Sequence, residues 1–403
     1  MLITLFATLA IYACGKKGDG GDSGEKVREI AIGGDLAMNR AVSRVKPAQT
    51  NPMLLYNKLK EYNNSINGSC PLGGGYATGG DLTDNDLDGV YRGGYFVYSD
   101  CIVQIPNEYA IPVYVYVDGN FIGLDGPNDN NPYIYKAVLF DLFFLIYVQD
   151  PSTDNGYFFA DYYEFDTLTA SGQASGISLD EEVEEDIGWG VDTSAGGGGD
   201  VVLCEYMGQD IDTLGATYKP DDNQFNPNAD EDANYKVTGS YNYVYEDYQL
   251  GNGCDDTKQQ DSIGASIDIN PGGSGTDLHD DADCKYDPSN GGDEGTKEFN
   301  SGKARLKNKV SGAITEISYG SNCKSSFSGA GVYGYIPNFG PRGGILGMER
   351  FINHQLKTLT AQKLFSNQTA TINIQSKFLQ IKNKVQKKHL EFQTKLQAIK
   401  SLY

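Results

Sequence analysis

Three aspartates at alternate positions form the most distinctive chemical pattern of this chain. The segment reads Asp84-x-Asp86-x-Asp88-Gly89. Alternate carboxylates can place hard oxygen ligands on one side of a turn, and the following glycine permits the bend that wraps them around Ca²⁺. The predicted chemistry is the binding of a structural calcium ion that fixes a loop between strands. The competing interpretation is a solvated acidic turn.

The segment resembles the Asp-rich half of EF-hand, dockerin and thrombospondin-type calcium loops. The resemblance implies that the three aspartates supply side-chain oxygens and that Val90 supplies a backbone carbonyl oxygen. The segment departs from that pattern at its twelfth position, where Tyr95 stands in place of a bidentate acid. We therefore expect Asp81, or an acid from elsewhere in the fold, to complete the shell of ligands.

Two further clusters of polar residues are weaker candidates for a metal site. Their members are Asp230, Asp232 and Asn234 in one cluster, and Asp277, His279, Asp280, Asp281 and Asp283 in the other. In the first cluster Tyr235 replaces the glycine. A transition metal normally takes more imidazole or thiolate ligands than the second cluster offers. Solvated loops are the favoured interpretation of both.

Catalytic constellations are mostly missing from the sequence. The only histidines are His279, His354 and His389, so a Ser-His-Asp arrangement would need a chance meeting of distant residues. The abundance of acids leaves paired carboxylates for glycoside hydrolysis possible but uninformative. We therefore expect a non-enzymatic protein, with a structural or ligand-binding role. The alternatives are a carbohydrate-binding or carbohydrate-hydrolysing surface protein, and a lipid carrier with an apolar cavity.

The N-terminus carries features of an export signal. An apolar run from Leu2 to Ala13 is too short to span a bilayer and suits a signal peptide over residues 1–13. The ending Ile11-Tyr12-Ala13-Cys14 resembles a bacterial lipobox, which implies that Cys14 is lipidated and anchors the protein to a membrane. Residues 14–34 would then be a flexible tether. The absence of Asp directly after Cys14 favours the outer membrane of a bacterial cell envelope. The competing interpretation is a buried N-terminal strand with an incidental cysteine.

Six cysteines remain when Cys14 is set apart, and an even number in an exported protein favours disulfide bonds. An imperfect repeat of cysteine, acidic turn and tyrosine-rich strand favours the pairing of neighbours. The expected pairs are Cys70–Cys101, Cys204–Cys254 and Cys284–Cys323. Reduced cysteines in a core are the alternative.

Composition predicts the elements that must position these residues. With 50 Gly, 28 Tyr and 17 Phe, the chain favours strands joined by tight turns. The predicted fold class is mainly β, an antiparallel sheet arranged as a sandwich or a meander, with a helical segment over 35–66. The predicted strands are Tyr91–Val103, Ala110–Val117, Tyr133–Val148 and Tyr157–Phe165, with Asp118-Gly119-Asn120 as a hairpin turn.

Shifts in composition suggest where domains begin and end. The acidic run Asp180–Asp186 and the glycines at 196–199 indicate a boundary between β domains at 35–190 and 191–345. The polar, Gly-rich segment Asn252–Gly295 is predicted to be dominated by loops. A third unit is the basic tail at 346–403.

The C-terminal tail differs from the rest of the chain in charge. Residues 351–403 contain nine Lys, a single Glu and neither Arg nor Asp. From Lys377 onward apolar residues recur every three or four positions, which predicts an amphipathic helix with a basic face. They are Phe378, Ile381, Val385, Phe392, Leu396 and Ile399. Three placements compete for this helix: docked on the acidic body, lying on an anionic membrane surface, or paired with a partner helix.

The whole chain has a formal net charge of −22. This charge excludes non-specific binding to nucleic acid, whose phosphates require a basic surface. It also makes the surface attractive to divalent cations. The expected partners are a membrane, through the N-terminal lipid that the lipobox resemblance implies, and a polysaccharide or protein ligand; nucleic acid is not expected.

Overall fold

The computed structural model describes most of residues 68–328 and one C-terminal helix. The described ranges are 68–105, 111–126, 129–150, 155–193, 201–225, 232–250, 254–280, 299–320, 325–328 and 374–400. Side chains are described throughout these ranges except at 245, 247–250, 254–263, 280, 325, 327, 396 and 398–400. The predicted signal peptide, Cys14, the tether and the helical segment over 35–66 lie outside the described residues.

Within the described ranges, fourteen strands form one antiparallel sheet. In chain order they are β1 (Gly73–Asp81), β2 (Gly93–Ile105), β3 (Val113–Asp125), β4 (Tyr135–Gln149), β5 (Gly156–Gln173), β6 (Gly176–Asp192), β7 (Val201–Pro220), β8 (Ala233–Leu250), β9 (Cys254–Ile269), β10 (Leu278–Asp280), β11 (Phe299–Ser301), β12 (Lys303–Asn308), β13 (Ile314–Tyr319) and β14 (Ser325–Ser328). Strands β1 to β9 pair in sequence order, and β12, β13 and β14 continue from β9. Strand β10 pairs with both β8 and β11. The prediction of a mainly β, antiparallel fold with a C-terminal helix is confirmed.

Side chains alternate between two apolar faces of the sheet, as the two-residue period of a strand requires. In β3, Val113, Val115 and Val117 join a large cluster that extends from Tyr76 in β1 to Tyr319 in β13, here called the main core. Tyr114 and Tyr116 belong to a second cluster on the opposite face, here called the helix-side core. Because both faces are covered, the strands contain long apolar and aromatic runs.

The helix α1 (Ile374–Lys400) covers the helix-side core. Phe378, Ile381 and Val385 are fully buried against aromatic residues of β3, β4 and β5. Each of these side chains contributes roughly 2 kcal/mol through burial of apolar surface. Of the three arrangements considered for the basic tail, the structure therefore has the helix docked on the acidic body. In the part of the chain that the structure describes, no helix is both long and apolar enough to cross a membrane.

The prediction of a hairpin turn at Asp118-Gly119-Asn120 is wrong. These residues lie inside β3, where the register with β4 shifts between Asp118 and Asn120. Gly119 has a φ of +120° and lies directly against the backbone of Asp141 in β4. The glycine therefore serves a β-bulge rather than a turn, and the strand continues to Asp125.

The acidic run Asp180–Asp186 is not a solvated segment but the centre of β6. Glu181, Glu185 and Asp186 in this run are buried. The sheet crosses the predicted boundary at 190 and 191 without interruption, because both residues belong to β6 and β6 pairs with β7 along its length. The segment Asn252–Gly295, predicted to be dominated by loops, contains the 16-residue strand β9, which is paired with β8.

Three of the predicted cysteines are in disulfide bonds. Cys70 and Cys101 form a disulfide with a Cα–Cα distance of 5.4 Å, which confirms this pair. It connects the segment before β1 to β2. Cys204 is also disulfide-bonded. Its predicted partner, Cys254, begins β9 but its side chain is not described, and the predicted pair Cys284–Cys323 lies outside the described residues.

Candidate cation site

The loop between β1 and β2 turns its own carboxylates inward. Asp84 Oδ2 accepts a hydrogen bond from the Gly89 amide at 3.2 Å, and Asp88 Oδ1 accepts one from the Val90 amide at 2.7 Å. The chain bends through left-handed conformations at Leu87, with a φ of 62°, and at Gly89, with a φ of 88°. The alternate aspartates of the sequence motif are thereby gathered on one side of the loop.

The end of β3 and the loop that follows it add two aspartates, Asp125 and Asp129, that the sequence interpretation did not name. Both carboxylate oxygens of Asp129 lie 3.1 Å from the amide of Asn85, which ties this loop to the first. Ligand oxygens of Asp86, Asp125 and Asp129 lie within 4.8 Å of one another. So do those of Asp84, Asp86 and Asp88. Asp86 thus belongs to both groups, and the two groups together are called the five-aspartate site below.

Several oxygens of this site are buried and lack a hydrogen-bond partner. They are Asp84 Oδ1, Asp86 Oδ2, Asp88 Oδ2 and Asp125 Oδ2. Asp88 is fully buried, and Asp129 is 1% exposed. A buried carboxylate oxygen without a partner costs free energy that a bound cation would recover. The arrangement therefore fits a cation held by oxygen ligands.

Burial and the crowding of like charges raise the pKa values of carboxyl groups in this site. Burial, reinforced by the charges of neighbouring aspartates, raises the pKa of Asp88 to about 8. Burial and a hydrogen bond with Asp129 raise the pKa of Asp125 to about 7. None of the five aspartates forms an ion pair with a described residue. These shifts indicate that the site, as five carboxylates alone, is short of positive charge.

Some of the predicted calcium ligands lie together in the structure, and others are bound to different groups. Asp84, Asp86 and Asp88 meet as expected. The side chain of Val90 is fully buried in the main core, and its amide binds Asp88; a role for its carbonyl oxygen stays a prediction. Asp81 instead accepts hydrogen bonds from Thr83 and lies 3.7 Å from Arg92. The acids that lie beside Asp86 are Asp125 and Asp129; completion of a ligand shell by an acid from elsewhere in the fold stays a prediction.

The weaker predicted clusters do not assemble a comparable site among the residues described. His279 lies 2.8 Å from Asn300 and 2.9 Å from Asp221, and Asp277 pairs with Lys236 at 3.3 Å. Asn234 donates a hydrogen bond to Asp221 at 2.8 Å. Their polar groups serve contacts between strands and loops. Asp230, Asp281 and Asp283 lie outside the described residues.

A second cluster lies between α1 and the sheet, and sequence reasoning did not find it. Ligand atoms of Glu164, Glu184 and His389 lie within 4.8 Å of one another. Burial lowers the pKa of His389, but hydrogen bonds and charges from Asp186 and Glu164 outweigh it and raise this pKa to about 9. Burial and the charge of Glu164 raise the pKa of Glu184 to about 7. The spacing of residues in the sequence could not predict this cluster, because its members come from three separate elements.

Lysines of α1 extend this interface along the outer face of the sheet. The ion pairs that these lysines form with the sheet are Lys377–Asp192, Lys382–Asp118, Lys388–Glu246 and Lys395–Glu246. The sheet side chains of these pairs include Asp192 and Glu246, which are both buried. Opposite charges of tail and body are thus in direct contact.

Comparisons of the chain with protein-family models, with curated proteins and with solved structures gave no match in any of the three. Inference about function therefore depends on the chemistry of the sites themselves.

Proposed function

We propose that this chain is a non-enzymatic, lipid-anchored protein of a bacterial cell envelope that binds Ca²⁺ at the five-aspartate site. The ion acts structurally, connecting the β1–β2 loop to the β3–β4 loop. Lipid attachment at Cys14 and a location at the outer membrane are part of the proposal. They rest on the lipobox-like sequence alone.

The observation that carries the calcium assignment is the convergence of five carboxylates from two loops, with buried oxygens that lack partners. Every ligand offered is a hard oxygen, and neither imidazole nor thiolate takes part. Ca²⁺ takes six to eight such oxygens at flexible geometry, whereas Zn²⁺ favours nitrogen and sulfur ligands. Backbone carbonyls, including that of Val90, and water would complete the coordination.

The carbohydrate alternative receives less support from the surface. Sugar binding on a flat sheet would use a row of exposed aromatic rings. Among the aromatic side chains that the structure describes, only Tyr95 and Phe140 are exposed, at 44% and 52%. The others are buried or half-buried, so they mainly serve the two cores.

Thermal unfolding in calcium and in EGTA tests the calcium assignment, with Asp88→Asn as the variant. Asparagine keeps the shape of the side chain and its acceptor for the Val90 amide, but it cannot become the carboxylate that would bind a cation. In EGTA at neutral pH the variant should be at least as stable as the wild type, because the raised pKa of about 8 keeps Asp88 mostly protonated in the empty site. In calcium the order should reverse, since saturation at about 100 times Kd stabilises the wild type by about 2.7 kcal/mol.

Asp81→Asn is the matched control, because it makes the same substitution at the end of β1, next to the same loop, but at a residue bound to Thr83 and Arg92. This variant should retain the full calcium-dependent increase in Tm. A wild type whose Tm is the same in calcium and EGTA would reject the calcium assignment. Mass spectrometry of the N-terminus from native cells tests the anchor separately, and an unacylated chain with an intact leader would reject it.

A further inference from the structure

The cluster between α1 and the sheet is built from three elements that each aim a side chain at one point. Glu164 is the extra residue of a β-bulge in β5, where the register with β6 shifts between Tyr163 and Phe165. Bulges commonly redirect a side chain. Glu184 lies on β6, on the same face as Asp186, two residues further along. His389 comes from the middle of α1 and is 7% exposed.

Both ring nitrogens of His389 face carboxylates. Nδ1 contacts the carboxylate of Asp186, which is fully buried, and Nε2 lies 2.9 Å from Glu164 Oε2. A buried carboxylate on one nitrogen of a histidine fixes the orientation of the ring and makes the other nitrogen a better ligand. This carboxylate–histidine arrangement is common behind metal ligands in proteins.

Negative charge exceeds positive charge at this point of the interface. Glu164, Glu184 and Asp186 surround one imidazole, and the charge of Asp210 on β7 also acts on Glu184. Lys388, which neighbours His389 in α1, pairs with Glu246 and Glu391 instead. A protonated imidazole supplies one positive charge, whereas a divalent ion would balance two carboxylates.

We propose that Glu164, Glu184 and His389 bind a zinc ion that holds α1 against β5 and β6. One imidazole nitrogen with two carboxylate oxygens is a ligand set that suits Zn²⁺, while the nitrogen ligand disfavours Ca²⁺. Three protein ligands leave the fourth tetrahedral position for water. Asp186 acts as a positioning residue that orients His389. The two metal sites of the chain thereby differ in the chemistry of the ions they select.

Calorimetric titration of the full chain with zinc, in the presence of saturating calcium, tests this proposal. The wild type should bind one zinc ion with an affinity that His389→Gln abolishes. Glu184→Gln should lower the affinity at least about tenfold, in line with the effect of disturbing a metal site's immediate surroundings. This variant leaves both contacts of His389 in place, so α1 stays docked and a loss of zinc binding cannot be attributed to unfolding.

Two matched variants define what would overturn the proposal. Glu182→Gln removes an exposed acid from the same face of β6, and Asp88→Asn alters the other cation site; both should bind zinc like the wild type. Cobalt should give a visible spectrum in the wild type that changes on substitution of His389. Zinc binding that is absent from the wild type, or equal in the wild type and Glu184→Gln, would show that His389 forms only ion pairs.

Discussion

The ammonium group of Lys377 in α1 contacts the carboxylate of Asp192, whose side chain is fully buried at the end of β6. The hydroxyl of Tyr147 also donates a hydrogen bond to this carboxylate at 2.9 Å. Lys377 itself is 8% exposed and lies 5.7 Å from the centre of the Tyr147 ring. The docking of the helix therefore includes a charge pair that is withdrawn from water as well as apolar contacts.

Substitution of Lys377 should destabilise the protein more than the loss of a surface charge would. Lys377→Met keeps an apolar side chain over Tyr147 but leaves Asp192 as a buried carboxylate without its cation. We expect the free energy of unfolding to fall by about 3–5 kcal/mol, as is typical when one partner of a buried pair is removed. Denaturant unfolding provides the measurement.

The exposed Lys387 of the same helix offers a control, because Lys387→Met removes the same charge from the solvent side. Its effect should stay within about 0.5 kcal/mol. Equal effects of the two substitutions would mean that the pair with Asp192 makes no special contribution.

The bulge at Gly119 is a second feature with a measurable consequence. A Cβ atom at this position would lie 2.1 Å from the carbonyl oxygen of Asp141, and the φ of +120° is unfavourable for other residues. Gly119→Ala should therefore lower the free energy of unfolding by about 1–3 kcal/mol. Gly215→Ala in β7 is the control, since its nearest contact would be an ordinary 3.5 Å and its φ is unstrained. A similar result for both variants would contradict this account of the bulge.

The error at Gly119 shows what local sequence reasoning can and cannot predict in this fold. A β-bulge and a hairpin turn both favour Asp, Gly and Asn, because both need a residue with positive φ. The two are distinguished by the burial of the residues after the glycine. Strand β3 continues to Asp125 because Phe121 joins the main core. This burial is a tertiary property, so the local sequence could not decide between the bulge and the turn.

The sequence predicted only part of the five-aspartate site, because the remaining part depends on tertiary structure. Asp84, Asp86 and Asp88 are close in sequence, so their spacing alone indicated a shared role. Asp125 and Asp129 join them because the β1–β2 and β3–β4 connections lie at the same end of the strands in an antiparallel meander. The register of four strands fixes that meeting. The run Asp-Gly-Pro-Asn-Asp at 125–129 was the available signal of a second acidic turn.

The disulfide between Cys70 and Cys101 should make a large contribution to stability. It spans 31 residues of sequence, and on the chain-entropy view a loop of this length contributes roughly 3–4 kcal/mol by restricting the unfolded chain. We expect the variant Cys70→Ala/Cys101→Ala to lose about that much in denaturant unfolding. Calcium should be held saturating in this comparison, because the bridge connects the segment before β1 to β2, and the β1–β2 loop lies between the two cysteines. Unchanged stability of the double variant would contradict the expectation.

The pairing of His279 with Asp221 predicts a pH dependence near neutrality. Burial lowers the pKa of His279, but hydrogen bonds with Asp221 and Asn300 and the charges of Asp221 and Asp232 outweigh it, so the pKa is raised above 6.5. The folded state therefore binds the proton more tightly than the unfolded chain does. The stabilisation is complete below pH 6.5 and is lost as the pH rises through the raised pKa.

The difference in unfolding free energy between the wild type and His279→Gln should follow this course. Below pH 6.5 it should include up to about 1 kcal/mol from the charge pair, a modest value because Asp221 is half exposed. Above the raised pKa that part should vanish and leave only the effect of the altered hydrogen bonds. Asp277→Asn, which removes the exposed partner of Lys236, should give a difference that does not change over the same pH range. A pH-independent difference for His279→Gln would mean that His279 stays neutral in the folded protein and links β10 to its neighbours through neutral hydrogen bonds alone.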